Sequence, residues 1–180
     1  RNLHREGILA VTEVYDGHLP EALQQQAIAA ARSIAEGVNY VGVLCVEFFI
    51  LRDGQLLVNE IAPRPHNSGH YTMNACVTSQ FEQQARVMAR LPLGSTQLLT
   101  PVVMLNILGD AWYTDETDTQ TEPDWSGVLA VQGASLHLYG KREARRGRKM
   151  GHVNCVGNTL AEAIAAANRV VSLLRLPVAP

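Results

Sequence analysis

The sequence predicts an α+β fold, because strand-like runs and helical segments both occur in each half of the chain. Two apolar runs, residues 40–51 and 55–62, flank residues 52–54, and the Asp-Gly pair between them is a strong hairpin indicator. Further strand-like runs follow residue 98, and an alanine-rich segment with helical spacing closes the sequence at 159–176. The expected architecture is therefore a mainly antiparallel sheet combined with helices.

In the first half, residues 8–15 are β-branched and aromatic and precede turn residues, which predicts a strand. Residues 20–36 have apolar positions at helical spacing, with Pro20 suited to the first turn and Gly37 to the C-cap. Residues 78–92 also have helical periodicity and stop at a proline. The segment between the hairpin and this helix, rich in proline, histidine and glycine, fits neither regular helix nor strand.

The second half is predicted to contain four strands and a closing helix. The strand-like runs are residues 99–108, 126–132, 134–141 and 151–157. Thr159 suits the N-cap of the closing helix. We therefore expect two domains, one over residues 1–95 and a smaller α+β domain over residues 96–180.

Composition excludes several classes of protein. The 15 basic and 17 acidic side chains give a net charge of −2, which predicts no binding of nucleic acid by the chain as a whole. No apolar stretch approaches the roughly 18–20 residues that cross a bilayer, so no membrane insertion is expected. Cys45, Cys76 and Cys155 are far apart and odd in number, which predicts neither a disulfide framework nor a zinc site. A reducing, cytoplasmic location fits this cysteine usage.

The hairpin places two glutamates opposite each other. If Asp53 and Gly54 form a two-residue turn, the register sets Glu47 against Glu60 on one face of the sheet. Like charges in such a pair repel, whereas Mg²⁺ takes one or two carboxylates together with water and phosphate oxygens. Asn59 offers a further carbonyl oxygen. The alternative is a solvated glutamate pair on a half-exposed sheet, and a three-residue loop would break the register.

A dense group of polar side chains follows the hairpin. Arg64 lies between two prolines, which hold its backbone extended. Its planar guanidinium beside His66 suits a small planar oxyanion such as bicarbonate or a carboxylate. Asn67 and Ser68 come directly after. A single loop histidine is usually an ordinary polar surface residue, but this density of donors favours a binding site.

Two charged runs lie in the second half. Residues 141–149 carry six bases and one acid, which indicates either a solvated loop or a phosphate or nucleic-acid site. The run has no interleaved aromatic residues, which weakens the case for single-stranded nucleic acid. Residues 110–124 carry six acids and no bases, and we interpret them as a solvated loop without an assigned role.

Two long segments of the sequence resemble a known enzyme family. VEFFILRDGQLLVNEIAPRPHNSGHYT at residues 46–72 is similar to the ATP-grasp ligases of purine biosynthesis, in particular the 5-(carboxyamino)imidazole ribonucleotide synthetases. GKREARRGRKMGHVN at residues 140–154 resembles the C-terminal signature of the same family. The resemblance implies that residues 1–95 are the C-terminal part of an ATP-grasp domain. It covers only the C-terminal portion of such an enzyme.

The resemblance implies an activity and its participants. ATP would phosphorylate bicarbonate to carboxyphosphate, which would then carboxylate the exocyclic amine of aminoimidazole ribonucleotide and release ADP and phosphate. The implied cofactors are ATP and Mg²⁺, with Mn²⁺ as an alternative ion, and the implied assembly is a cytoplasmic homodimer. The lysines that grip the nucleotide phosphates are expected before residue 1, since the only lysines are Lys141 and Lys149. The chain alone is therefore expected to be inactive.

Site residues follow by position in the two motifs. In the first motif, Glu47 and Glu60 would ligate Mg²⁺, and Asn59 would assist at the metal or the phosphates. Arg64 and His66 would hold bicarbonate and carboxyphosphate, with His66 also handling a proton.

The remaining implied residues would contact the ribonucleotide. Asn67 and Ser68 would contact it through partners that the resemblance does not specify. Lys141 and Arg148 would grip its 5′-phosphate, and Arg145, like Lys149, is a weaker candidate for that role.

Two alternatives remain open at the level of sequence. The formate-dependent glycinamide ribonucleotide transformylases share the hairpin and a similar turn, but there an aspartate, a threonine and a methionine follow, where this chain has Asn67, Ser68 and His70. A non-catalytic module that binds phosphate or a polyanion through the basic run is the second alternative. It predicts a steep salt dependence and no requirement for Mg²⁺ at the glutamate pair.

Overall fold

The computed structural model describes residues 1–113 and 119–180, and it is α+β as the sequence predicts. Part of the acidic run at 110–124 therefore lies outside the described residues. The strands are β1 Asn2–Arg5, β2 Ile8–Val14, β3 Cys45–Ile50, β4 Leu56–Ala62, β5 Val102–Leu108, β6 Ala134–Leu138 and β7 Lys149–Val156. The helices are α1 Glu21–Gly37, α2 Thr72–Ala75, α3 Gln80–Met88, α4 Trp125–Leu129 and α5 Leu160–Leu174.

Contacts divide the chain into two compact units, one comprising Arg1–Tyr15 with Leu98–Pro180 and the other Asp16–Gln97. β1 and β2 belong to the same compact unit as the strands after residue 97. The physical reason is strand pairing, since β2 pairs antiparallel with β5 from Val11–Leu105 to Val14–Val102.

The first unit contains a five-stranded antiparallel sheet in the order β1-β2-β5-β7-β6. The central strands β5 and β7 are buried along almost their whole length, as expected for apolar strands flanked on both sides. One sheet face joins the buried face of α5 in a continuous hydrophobic core. The helix begins as predicted at Thr159, whose side chain accepts a hydrogen bond from the Glu162 backbone N–H at 3.2 Å.

One predicted strand in this unit is wrong. Residues 126–132, read as a strand, instead include most of α4. The Asp124 side chain caps this helix by accepting from the Gly127 backbone N–H at 2.8 Å, and Val128 is fully buried in the core. A short apolar run has no periodicity that separates a buried strand from a buried helix, so the N-cap decides the outcome.

The second unit contains α1, the β3–β4 hairpin, α2 and α3. α1 has no fully buried residue, which agrees with its alanine- and glutamine-rich sequence. Gln84 of α3 accepts a hydrogen bond from the Val43 backbone N–H at 2.8 Å, just before β3. This contact ties the segment leading into the hairpin to the helix that follows the polar turn.

Candidate functional site

The hairpin turn differs from the predicted two-residue turn. Leu51 donates from its backbone N–H to Gln55 at 2.9 Å, and the Gly54 N–H donates to the Leu51 carbonyl at 2.9 Å. The loop therefore has three residues, 52–54, and Gly54 adopts the left-handed region at φ +84°. This is the common three-residue loop in which glycine takes the left-handed position, and it shifts the register by one residue.

A second irregularity restores the register at the two glutamates. Ile50 pairs with Leu56 and Phe48 with Val58, whereas Glu47 pairs with Glu60. Asn59 is thus the extra residue of a β-bulge, and bulges commonly re-aim side chains next to active sites. The predicted pairing of Glu47 with Glu60 is confirmed, although the turn that was expected to produce it is wrong.

The two glutamates differ in burial and share one neighbour. The side chain of Glu47 is 8% exposed and that of Glu60 is 51% exposed. His66 lies between them, with Nδ1 3.7 Å from Glu47 Oε1 and Nε2 3.6 Å from Glu60 Oε1. The two carboxylates therefore converge on one imidazole, with one of them accessible from solvent.

The two ring nitrogens of His66 have different neighbours. The Ser68 backbone N–H donates to Nδ1 at 3.4 Å, and Ser68 Oγ lies 2.9 Å from the same nitrogen. Nδ1 therefore faces Ser68 and Glu47, whereas Nε2 faces Glu60. Each ring nitrogen thus lies beside one of the two carboxylates.

Cys45 joins the hydrogen-bond network of His66 through Ser68. Its Sγ lies 3.6 Å from Ser68 Oγ. Burial is the main cause that raises the pKa of the Cys45 thiol, and the hydrogen bond with Ser68 partly opposes it. The thiol is therefore protonated at neutral pH and is a poor nucleophile.

Gln80, which the sequence analysis does not single out, fixes the backbone of His66. The Gln80 Oε1 accepts from the His66 N–H at 2.9 Å, and Nε2 donates to the His66 carbonyl at 2.8 Å. Nε2 also lies 2.8 Å from His70 Nδ1. The Gln80 amide therefore makes two hydrogen bonds to the backbone of His66, the residue that lies between the two glutamates.

Thr72 and Gly69 complete the support of the turn. The Thr72 hydroxyl donates to the Gly69 carbonyl at 2.6 Å and accepts from the Gln80 backbone N–H at 3.0 Å. A Cβ at Gly69 would lie 2.6 Å from Gln80 Oε1, closer than any real contact. The glycine therefore permits the close approach of α3 to the turn.

Asn67 and Arg64 present free donors in different ways. Asn67 is 7% exposed, and neither its Oδ1 nor its Nδ2 has a hydrogen-bond partner among the described residues. Unsatisfied buried amides are costly and rare, so this side chain is suited to bind a ligand or an ordered water.

Arg64 is exposed, and its Nη1 donates to the adjacent Pro65 carbonyl at 3.2 Å, which leaves most of its donors available.

Lys141 and Arg148 lie in the other compact unit, on the loop between β6 and β7. Lys141 Nζ donates to the Lys149 carbonyl at 2.5 Å, and Arg148 Nη1 donates to the Glu143 carbonyl at 3.0 Å. Arg145 is already paired with the Glu143 carboxylate at 2.6 Å. The loop is thus ordered by its own cations. Hydrogen bonding and charge from Arg145, and to a lesser extent the charge of Arg148, lower the pKa of Glu143, whereas Lys141 forms no ion pair with a carboxylate among the described residues.

The structure brings together four of the predicted residues of the first motif. Glu47, Glu60 and His66 meet directly, and Ser68 joins them through His66 Nδ1. Asn59 lies at the bulge beside Glu60. The two carboxylates are the oxygen ligands that Mg²⁺ prefers, and their enforced pairing is destabilising unless a cation offsets their repulsion. The residues therefore fit a divalent cation.

Two family models match successive parts of the chain. Residues 1–81 match the model of the ATP-grasp domain, and residues 102–166 match the phosphoribosylaminoimidazole carboxylase C-terminal domain. Among curated proteins, the N5-carboxyaminoimidazole ribonucleotide synthase of Brucella melitensis is 49% identical over 156 residues. That alignment covers 84% of this chain and 39% of the relative, so the chain spans about two fifths of the relative's length.

Solved structures show the same similarity in three dimensions. The N5-carboxyaminoimidazole ribonucleotide synthetase from Thermus thermophilus matches with a TM-score of 0.86 and 40% identity, over 98% of this chain and 46% of that one. The synthase from Aspergillus clavatus, solved with ADP and 5-aminoimidazole ribonucleotide, has a TM-score of 0.83 and 31% identity, over 97% and 46% of the two chains. The chain thus belongs to the N5-carboxyaminoimidazole ribonucleotide synthase family of ATP-grasp proteins and corresponds to the C-terminal portion of its members.

Proposed function

We propose that the intact protein is an ATP-dependent carbon-nitrogen ligase that carboxylates 5-aminoimidazole ribonucleotide with bicarbonate in purine biosynthesis. The observation that carries this proposal is the convergence of Glu47 and Glu60 on His66, at a turn held by Gln80. The family membership supports the same reaction. This chain supplies part of the active site, and groups that grip the nucleotide lie elsewhere in the protein.

Glu47 and Glu60 are proposed to hold Mg²⁺, with Asn59 assisting at the metal or the ATP phosphates. When bound, the ion neutralises charge that develops on the β- and γ-phosphates during transfer. The buried Glu47 provides a fixed ligand, because β3 and the packing around it hold the carboxylate in place. The exposed Glu60 provides a ligand on the side where solvent and phosphate oxygens have access. Mn²⁺, which accepts the same oxygen ligands, is expected to substitute.

Arg64 and His66 are proposed to bind bicarbonate. The guanidinium of Arg64 has unoccupied donors and pairs well with a planar oxyanion. A bicarbonate oxygen attacks the γ-phosphorus, the bond to ADP breaks, and the product is carboxyphosphate. The amine of the ribonucleotide then attacks the carboxyl carbon, phosphate leaves with the bridging oxygen, and His66 is proposed to take up the proton that the amine releases.

The ribonucleotide is proposed to bind through Lys141 and Arg148, which would hold its 5′-phosphate. Each cation is bonded to a backbone carbonyl and keeps further N–H donors that can pair with phosphate. Asn67 and Ser68 are proposed as further contacts, and the unpartnered buried amide of Asn67 supports its role. The complex of the Aspergillus clavatus synthase with this ribonucleotide supports the choice of substrate.

We propose a cytoplasmic homodimer as the working assembly. All three cysteines are free thiols, which suits a reducing compartment. In the described part of the chain, no helix has both the length and the apolar character needed to cross a bilayer.

The proposed function predicts that ADP release depends on the ribonucleotide. The intact protein is assayed with ATP, Mg²⁺ and bicarbonate, with and without 5-aminoimidazole ribonucleotide. We expect strong stimulation by the ribonucleotide, because carboxyphosphate is consumed only when the amine is present. Stimulation by formate with glycinamide ribonucleotide instead would assign the chain to the transformylase class. Absence of both, with salt-sensitive polyanion binding, would support the non-catalytic alternative.

Gln80 is expected to act as a positioning residue. Replacing Gln80 with leucine removes both hydrogen bonds to the His66 backbone, so we expect kcat to fall about 10- to 100-fold, as misplacement of a reacting group by an ångström costs on that order. The KM for ATP should change little, because Gln80 contacts no nucleotide group in this proposal. Gln80→Glu retains the acceptor for the His66 N–H and should restore part of kcat. Equal losses in both variants would contradict a positioning role.

A further inference from the structure

We propose that Cys45, Glu47 and His66 form a binding site for Zn²⁺ or a similar thiophilic cation. One ligand atom from each residue lies within 4.8 Å of the other two. The sequence spacing of the cysteines predicts no zinc site, because that spacing shows only whether cysteines lie near one another in the sequence. The structure instead joins one cysteine to a glutamate and a histidine.

The geometry of the cluster suits a tetrahedral ion. Zn²⁺ binds sulfur at about 2.3 Å and nitrogen or oxygen at about 2.0–2.2 Å, which sets neighbouring ligand atoms about 3.3–3.6 Å apart. His66 Nδ1 and Glu47 Oε1 are 3.7 Å apart, close to that separation. The other two pairs lie within 4.8 Å, so the side chains would have to draw together by up to about 1 Å to enclose an ion.

The cluster is also held in place before any ion binds. Cys45 and Glu47 are two residues apart on β3, so their side chains lie on the same face of the hairpin. His66 is fixed through its backbone by Gln80. His66 Nδ1 lies on the side of Glu47 and Ser68, and binding of an ion to its single lone pair would replace the contacts with Ser68. Three protein ligands leave a fourth position for water.

The chemistry of the three ligands distinguishes this site from a Mg²⁺ site. Mg²⁺ takes oxygen ligands, whereas thiolate and imidazole select zinc and other softer cations. Zn²⁺ would displace the thiol proton of Cys45 to solvent and would draw Glu47 and His66 to one centre. If the proposed function is correct, Glu47 is then unavailable to bind Mg²⁺ and His66 is unavailable to bind bicarbonate. Zinc should therefore inhibit the ligase, and this consequence alone rests on the proposed function.

Co²⁺ provides a direct spectroscopic test on the intact protein, because a cobalt–thiolate bond gives a charge-transfer absorption in the near ultraviolet. We expect this absorption in the unmodified protein and its loss in Cys45→Ser, together with at least a tenfold weaker affinity for Zn²⁺ measured against a chromophoric chelator. Cys76→Ser, a matched control at another half-buried thiol, should retain both properties. Cys45→Ala, checked by thermal unfolding, provides a second variant should the serine disturb folding.

An absorption that persists without Cys45, or equal zinc affinity in Cys45→Ser and the unmodified protein, would overturn the site. Without zinc, Cys45→Ser should retain ribonucleotide-stimulated ADP release, because Cys45 contacts no substrate in the proposed reaction. Zinc should inhibit the variant at least tenfold less strongly than the unmodified protein. The cobalt spectrum decides the metal site even if the ligase assay gives no activity, so failure of the two proposals can be told apart.

Discussion

Glu60→Gln is expected to lower ribonucleotide-stimulated ADP release by about 10²- to 10³-fold, the range found when one charge-stabilising group is removed from an active site. The substitution keeps the shape of the side chain but removes the charge that the cation and its phosphates require. Glu60 is 51% exposed, so the amide can be solvated and the fold should be retained. Steady-state ADP release at saturating ATP measures the effect.

Thermal unfolding distinguishes this loss from damage to the fold. Without Mg²⁺, Glu60→Gln should be as stable as the unmodified protein or slightly more stable, because repulsion across the Glu47 pair is relieved. Glu36→Gln, an exposed glutamate on α1, is the matched control and should retain full activity. Retained activity in Glu60→Gln would remove that residue from the metal site.

Arg148→Ala is expected to raise the KM for 5-aminoimidazole ribonucleotide about 10- to 100-fold, since a hydrogen bond to a charged group contributes about 1.5–3 kcal/mol. The kcat at saturating ribonucleotide should change much less, because the 5′-phosphate is remote from the reacting amine. Initial rates over a range of ribonucleotide concentrations separate the two parameters.

Arg145→Ala provides the control for the same loop. Its guanidinium is already paired with Glu143 at 2.6 Å, so its removal should have little effect on either parameter. A KM that is unchanged in Arg148→Ala, or raised equally in Arg145→Ala, would mean that the loop does not hold the phosphate through Arg148.

The hairpin illustrates both the strength and the limit of sequence reasoning. Apolar patterning and the Asp-Gly pair are local features, and they predict both strands and the position of the loop. Loop length is not determined in the same way, because Gly54 can serve either a two-residue or a three-residue loop. The bulge at Asn59 offsets the longer loop, and nothing in the order of residues 55–62 indicates it.

Residues that act across the fold are harder to predict. Gln80 begins a helix, where sequence analysis treats it as an ordinary helical position. Its contacts with His66 exist only because the start of α3 packs on the polar turn. The pairing of β2 with β5 is similarly non-local, since Val11 and Leu105 lie far apart in sequence. Periodicity within a segment predicts the segment but not its neighbours.

The fate of bicarbonate oxygen tests the proposed chemistry most directly. The intact protein is incubated with ATP, Mg²⁺, 5-aminoimidazole ribonucleotide and bicarbonate labelled with ¹⁸O, and the phosphate is analysed by mass spectrometry. Attack by bicarbonate on the γ-phosphorus leaves one bicarbonate oxygen on phosphate, so we expect one ¹⁸O in each phosphate released. Phosphate that forms in step with the ribonucleotide but carries no ¹⁸O would show that water, and not bicarbonate, attacks ATP, and would contradict the account.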